Sequence, residues 1–539
     1  MQKPSGLFSS SSVPNAWILS KVHVVLLLAG MVALWTVLCG VSHRAPDLDG
    51  MEELVWASSF EWGYFKHPPL PSWIMYTLSR VFGKPVWLTF FAGQLVSAVA
   101  LWFIWLLGCE FTTPKKALIA MLMVSVSMYF SLRGTIFNHN TAQLWSIAAS
   151  IWLFYRALRY KKTSSWVWLG VVSALAVMTK YSAVVQFFAF FVFLLVQGHF
   201  KEQVTRRGIV YALIAFMAVL SPHIVWLIND SFASFSYAEH AIAAEADYPR
   251  VLRENWAFFY NQVGRLSPML TVWGCLFYWG RRPRMTAAGL TRQPGSATIS
   301  VDDRTYAAGL SEWDRAFLLW VGLTPFLATI LIFTALKTSL VTSWASTFFV
   351  LYGFYAFWWM RGDEQLNLRR TVVLVIAAHV LMAVGYALAR GPVAYYLGWN
   401  ARSTFPGAMI SAEMDKAWRS HVPDVPLRLV VSDRWLGGNI AIHIDSRTNV
   451  LINGSYSESP WLDPDTALNC GALIAYSPTT HDAPTEELAK LFEHAVWRGV
   501  ASVPWSTPES TRIIVNWGII PPGPQCALLE RQGGRVGPK

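Results

Sequence analysis

Four short stretches carry residues whose types and spacing could do chemistry. In the first, Asp49-Gly50-Met51-Glu52 with Glu53 next sets two carboxylates three positions apart at the start of a helical pattern. Two readings fit that spacing. One is a general base with an acidic companion. The other is a capping box, in which Asp49 accepts first-turn N–H groups and Glu52 bonds back. The second stretch is Gly63-Tyr64-Phe65-Lys66-His67-Pro68-Pro69-Leu70. Its prolines fix φ and extend the residue before them, which holds His67 at a defined place. A loop carbonyl partner for His67 and snorkelling by Lys66 are the plainer alternatives. The third is Arg133 followed by Asn138-His139-Asn140, where ordinary turn chemistry accounts for the asparagines equally well. The fourth is Lys180-Tyr181. Lys337 joins the set, and both lysines could simply snorkel from helix ends. His223, Trp226, Asn229 and Asp230 form a further polar group.

The elements that must position these residues follow from composition. The chain has 539 residues, 54% of them hydrophobic and only 14% charged. A soluble domain carries roughly 25% charged residues, so most of this surface must face lipid. Disorder, a coiled coil and a nucleic-acid partner are excluded. Apolar runs bounded by charge predict about eleven spanning helices. They fall at 23–42, 85–108, 117–133, 141–158, 166–180, 183–197, 208–228, 266–280, 315–335, 341–360 and 371–389. With a cytoplasmic N-terminus, each short inner loop is basic: Lys115 and Lys116, then Arg156 to Lys162, Lys201 to Arg207, Arg281 to Arg284, and Arg361 to Arg370. This is the positive-inside pattern, so the net charge of +11 marks topology rather than an acidic partner. The same orientation puts the residues of the first paragraph on the outer side, with the acidic and proline-rich stretches in a long first outer loop, 43–84. Its LVWASSFEW and PSWIMYTLSRVF segments read as amphipathic helices lying in the interface.

The first apolar run reads as a retained span, since no small-residue cleavage site follows it. The polar stretch 285–312 reads as a connector. From about 400 to 539 the chain changes character. Strand-like LRLVVS (427–432), NVLI (449–452) and GALIAYS (471–477) alternate with helical stretches and predict a small extracytoplasmic α/β domain beside a transmembrane domain of residues 1–399. No GxGxxG opens a helix there. Five cysteines show no metal or redox spacing. Cys470 and Cys526 are the two able to form a disulfide within the outer domain, and two unpaired buried cysteines is the alternative.

The order of Asp49 and Glu52, then WASSFEWGYFKHPPLPSW, FNHNTAQL, MTKYSAVV, SPHIVWLINDSFASFSY and a late SPWLD, resembles the glycosyltransferase family 39 and aminoarabinose-transferase-like, or PMT-like, group. GYFKHPPLPSW is the most specific piece. RSTFPGAMISAEM and SDRWLGGNIAIHI extend the likeness into the C-terminal region. The resemblance implies a GT-C fold and transfer of a sugar from a polyprenyl-phosphate carrier to a lipid, glycan or protein acceptor. It places that reaction on the periplasmic side of a bacterial inner membrane, with inversion at the anomeric carbon, in roles such as lipid A modification or protein O-glycosylation. Carried over by position, Asp49 is the catalytic carboxylate and Glu52 its companion. Lys66 and His67 lie in the HPP segment, and Asn138, His139 and Asn140 stand where many relatives place a second polar or acidic group. Lys180, Arg133, Lys66 and Lys337 are the cations for the donor phosphate, with Tyr181 beside them. Two departures stand out. Asn-His-Asn has no carboxylate, which removes support for a divalent metal bridging two acidic loops, and Asp49-Gly50 replaces an Asp-Glu pair. No other cofactor is implied. A flippase or transporter of a lipid-linked substrate and an inactive scaffold are the rival functions. A transporter should carry ionisable groups at mid-membrane, whereas these lie in loops.

Overall fold

The computed structural model describes residues 14–230, 232, 234, 247–281, 305–360, 365–480 and 483–526. Most of the expected connector, along with Arg282, Arg284 and Arg361, lies outside them. The apolar runs wind into helices α1 (Pro14–Ser42), α4 (Trp87–Phe111), α5 (Pro114–Ser125), α6 (His139–Tyr160), α7 (Thr163–Thr179), α8 (Val184–Val196), α9 (Gln203–Asn229), α10 (Tyr248–Arg281), α11 (Glu312–Ala335) and α12 (Leu368–Leu388). Between α1 and α4 the first long loop holds two more, α2 (Leu48–Trp56) and α3 (Leu70–Phe82). Five segments are long and apolar enough to cross a bilayer: Lys21–Ser42, Trp87–Phe111, Gln203–Asn229, Glu312–Ala335 and Leu368–Tyr396. Large apolar side chains such as Leu26, Leu331 and Leu381 remain more than half exposed on them, as lipid-facing positions require. The chain is a multi-pass membrane protein.

One expected span is not an α-helix. Residues 341–360 wind in 3-10 and turn geometry, with 3-10 segments Thr342–Ala345 and Tyr352–Trp358, rather than in an α-helix. The backbone here rests directly on α5. A side chain at Gly353 would meet the Ala120 carbonyl oxygen at 2.0 Å, so the path is set by this close approach and not by apolar length. The run at 117–133 is likewise helical only to Ser125 and then turns tightly into a 3-10 segment, Arg133–Thr135.

The C-terminal residues fold as α13 (Gly407–His421), β1 (Leu429–Ser432), α14 (Arg434–Ile444), β2 (Asn449–Ile452), β3 (Ala472–Tyr476), α15 (Glu486–Glu493), β4 (Trp497–Pro504) and β5 (Arg512–Ile520). The sheet order is β2-β1-β3-β5-β4, with β1 parallel to both its neighbours and β5 antiparallel to β3 and β4. Strand β1, between β2 and β3, is buried along its whole length, the pattern of a parallel strand covered on both faces. The antiparallel pair was not read from the sequence. Gly499 and Gly518 interrupt β4 and β5, and β4 alternates half-buried with exposed residues instead of forming an apolar run. A disulfide joins Cys470, just before β3, to Cys526 beyond β5, with Cα atoms 4.7 Å apart.

This C-terminal layer sits directly on α2. Met51 and Leu54 share one buried cluster with Met414, Trp418, Leu436 and Ile440. Seven of the nine α2 residues, Gly50 to Trp56, are buried, so α2 is a sandwiched helix rather than one lying in the membrane interface. Contact with α14 is close because position 438 has no side chain. A Cβ there would lie 2.6 Å from Met51 Sδ and 3.0 Å from Val55 Cγ2. Gly438→Leu overpacks this joint and is expected to destabilise the protein by about 1–3 kcal/mol, read as a lower unfolding midpoint. A wild-type midpoint would contradict the tight joint.

Candidate active site

The site is built outward from α2. Its N-cap is Asp47, whose carboxylate accepts from Leu48 N at 2.8 Å and also pairs with Arg402 at 3.2 Å. The capping-box reading of Asp49 and Glu52 is therefore corrected: the cap lies two residues earlier, and both carboxylates are turned to other partners. Asp49, in the first turn, accepts from Asn138 Nδ2 at 2.9 Å. Glu52 is 3% exposed and holds two cations, Lys66 Nζ at 2.9 Å and Arg434 at 3.2 Å. Helical spacing brings Asp49, Glu52 and Glu53 onto neighbouring positions of one face.

Asn138 is the N-cap of α6. Its Oδ1 accepts from the N–H groups of Asn140 and Thr141, both at 3.0 Å, which leaves its Nδ2 to donate to Asp49. A carboxylate at this position could cap the helix but could not donate. His139 follows, its ring 3.8 Å from that of His67 between centroids. Asn140 contacts His139 Nε2 at 3.2 Å through its amide nitrogen and accepts from Lys180 Nζ at 2.7 Å. Lys180 is reached because α7 stops at Thr179 and the next residue is extended. Gln143 holds that break open by donating to the Lys180 carbonyl at 2.8 Å. Contacts thus link Asp49, Asn138, His139, Asn140, Lys180 and His67, and Lys66, next to His67 in the chain, extends this network to Glu52 and Arg434.

Three expected residues stand outside this network. The Arg133 side chain is exposed on its 3-10 turn. Tyr181 turns away from Lys180, with its hydroxyl 3.1 Å from His223 Nε2 and 2.8 Å from Ser234 Oγ, while His223 Nδ1 lies 2.7 Å from the Trp62 carbonyl. Lys337 has φ 57° just after α11 and lies over the Tyr248 ring at 5.9 Å. Three residues absent from the expected set enter the site. Arg434 sits in the family-like SDRWLGGNIAIHI stretch, but nothing in the sequence links it to Glu52. Glu53 is enclosed beside Glu52 and accepts from Ser72 Oγ at 2.7 Å. Gln143 positions Lys180 from within α6.

Burial governs the ionisation of this site. It holds the Glu53 carboxyl up to about 8, against the Ser72 hydrogen bond and with help from Glu52 and Asp49. His67 and His139 are pushed well below their ordinary value, again by burial and then by neighbouring positive groups, so both are neutral imidazoles. Among the described residues no three His, Cys, Asp or Glu side chains gather as a metal site; the loop facing Asp49 contributes amides and an imidazole.

A carboxyl whose folded pKa is raised contributes stability that is complete below its unfolded value and lost as pH rises through the folded value. For Glu53 that window runs from its ordinary 4.5 to about 8. Glu53→Gln keeps an acceptor for Ser72 and cannot ionise. Its unfolding midpoint should fall less than that of the wild type across this window, and identical pH profiles would refute a protonated Glu53.

Known proteins are similar to this chain in sequence and in fold. The family model described as dolichyl-phosphate-mannose-protein mannosyltransferase matches residues 66–226, which include Lys66, His67, the Asn138–Asn140 turn and Lys180. The lipopolysaccharide core galacturonosyltransferase RgtA of Rhizobium johnstonii is 22% identical over 427 residues, covering 77% of this chain and 79% of its own. Crystal structures of ArnT from Cupriavidus metallidurans superpose over 94% of this chain and 98% of theirs. The form bound to undecaprenyl phosphate gives a TM-score of 0.61 at 12% identity, and the apo form 0.57 at 13%. The matched segment, the long-range sequence likeness and the common fold agree in relating the chain to PMT-like membrane glycosyltransferases, and its fold is that of ArnT.

Proposed function

We propose that the protein transfers a sugar from a polyprenyl-phosphate carrier to an acceptor hydroxyl at the outer, periplasmic face of a bacterial inner membrane. Undecaprenyl phosphate in the ArnT structure supports the donor class, and the name of RgtA supports a glycan or lipid acceptor in the cell envelope. The basic bias of alternate loops supports an N-terminus inside and residues 400–539, as an α/β domain, outside. Protein acceptors belong to the same reaction class.

The observation that carries this reading is the sharing of buried Glu52 by Lys66 and Arg434 one turn from Asp49. Two cations on one carboxylate leave a surplus positive charge beside a carboxylate that, among the described residues, is held by an amide donor. A phosphate on a lipid carrier fits the first, and an acceptor hydroxyl fits the second. In the reaction, the acceptor oxygen attacks the anomeric carbon and its proton passes to Asp49. The bond from that carbon to the phosphate oxygen breaks, and polyprenyl phosphate leaves with the electron pair. Lys66 and Arg434 stabilise the negative charge that grows on the phosphate. The face opposite the leaving group receives the acceptor, so the anomeric configuration inverts. Neutral His67 and His139 wall the site without adding charge, and Lys180 reaches it through Asn140. No step is routed through a metal.

The test is turnover of a radiolabelled polyprenyl-phosphate sugar by the purified protein. Asp49→Asn should lower transfer about 10²–10⁴-fold, the usual loss on removing a general base, while the protein stays folded. Lys66→Gln should raise the donor KM. Wild-type transfer by Asp49→Asn would overturn its role, and movement of the lipid-linked sugar across a bilayer without transfer would favour a flippase.

A further inference from the structure

A cavity of ≈220 Å³ opens at the carboxyl ends of the three parallel strands β1, β2 and β3. The position is where open α/β sheets receive ligands. Its walls include Leu48, Arg434, Asn453, Tyr476, Ser477 and Thr485. Leu48 precedes Asp49 in the chain, and Arg434 is the residue that pairs with Glu52. The cavity therefore borders the proposed phosphate clamp and the helical turn that carries the proposed base, from the side of the C-terminal layer.

Its chemistry narrows the occupant. The N-terminus of α14 is already filled by Asp433, which accepts from Trp435 N and Leu436 N, and Arg434 turns its guanidinium to Glu52, so both charged wall residues are directed at partners of their own. The rest of the wall offers fixed neutral groups. Asn453 is held in the left-handed region at φ 55° with its amide donating to Glu458 at 2.9 Å. Thr485 Oγ1 donates to the Asn453 carbonyl at 2.7 Å, and Ser477 Oγ donates to the Ile514 carbonyl at 2.6 Å. Each keeps an oxygen lone pair for a further partner. The Tyr476 ring, braced edge-on by Phe492, and Leu48 add apolar surface. Fixed polar groups around an aromatic ring suit a polyhydroxylated ring, and the volume is below the roughly 300–1,000 Å³ of drug-sized sites, so one ring fits rather than a chain.

We propose that this cavity seats a sugar ring of the acceptor and so presents its hydroxyl to Asp49, an inference that rests on the glycosyl-transfer reading above. Two variants test it on the full-length protein in nanodiscs. Ala483→Trp fills the cavity from its exposed rim. Asn453→Gly preserves the left-handed backbone and removes the amide. Saturation-transfer NMR with methyl pyranosides of a neutral hexose, a hexuronic acid and an amino sugar should show binding to the wild type and its loss in both variants. Absence of binding in the wild type, or binding unchanged in both variants, overturns the proposal. This measurement needs no turnover, so it stands even if the transfer reading fails. Under turnover, each variant should raise the acceptor KM about tenfold, the scale of one or two lost hydrogen bonds, with the donor KM unchanged. A raised donor KM instead would assign the cavity to the donor's sugar and overturn the acceptor assignment.

Discussion

Everything at the functional end of this molecule depends on one buried carboxylate. Glu52 is 3% exposed, and an unpaired charge there would be strongly disfavoured. Two cations remove that penalty, and they come from different parts of the chain: Lys66 from the loop after α2, and Arg434 from the first residue of α14. Removing one partner of such a buried pair typically costs about 3–5 kcal/mol, mostly because it strands the other charge. The same contact thus fastens the C-terminal layer to α2 and concentrates positive charge one helical turn from Asp49.

Three acids within five residues of one short helix would repel one another if all were charged, and the structure gives each a different answer. Glu52 is paired. Glu53 is enclosed and kept protonated well above the ordinary carboxyl range, with Ser72 as its hydrogen-bond donor. Asp49 is the one left with a neutral amide donor, Asn138, on one oxygen. The amide is suited to this place because it also caps α6 through its own oxygen, which a carboxylate could do only by adding a further negative charge. Placing α2 between the bundle and the sheet provides the burial that makes these differences possible. The absence of a side chain at Gly438 allows it, since a Cβ there would stand 2.6 Å from Met51 Sδ.

Part of the site was legible in the sequence. Asp49, Glu52, Lys66, His67, Asn138, His139, Asn140 and Lys180 are polar residues in an apolar chain, on one side by charge asymmetry, and the fold brings all of them into one network. Arg133, Tyr181 and Lys337 satisfied the same criteria and stand apart, because a shared membrane face is coarser than a contact. Tyr181 illustrates the difference: it adjoins Lys180, yet the extended backbone between α7 and α8 sends the two side chains to separate partners.

What the sequence determined by itself was the local and the periodic: apolar runs long enough for a bilayer, a basic bias on alternate loops, the prolines that fix the loop after His67, and the β1, β2 and β3 runs. These follow from backbone sterics and from the cost of placing charge in hydrocarbon, both of which act residue by residue. Only the tertiary structure decided that 341–360 winds in tight turns against α5, that Asp47 rather than Asp49 caps α2, that Glu53 is neutral and that Arg434 completes the site. Those outcomes rest on burial and on contacts between distant segments, whose energies depend on what packs beside a residue and leave no period or spacing in the chain.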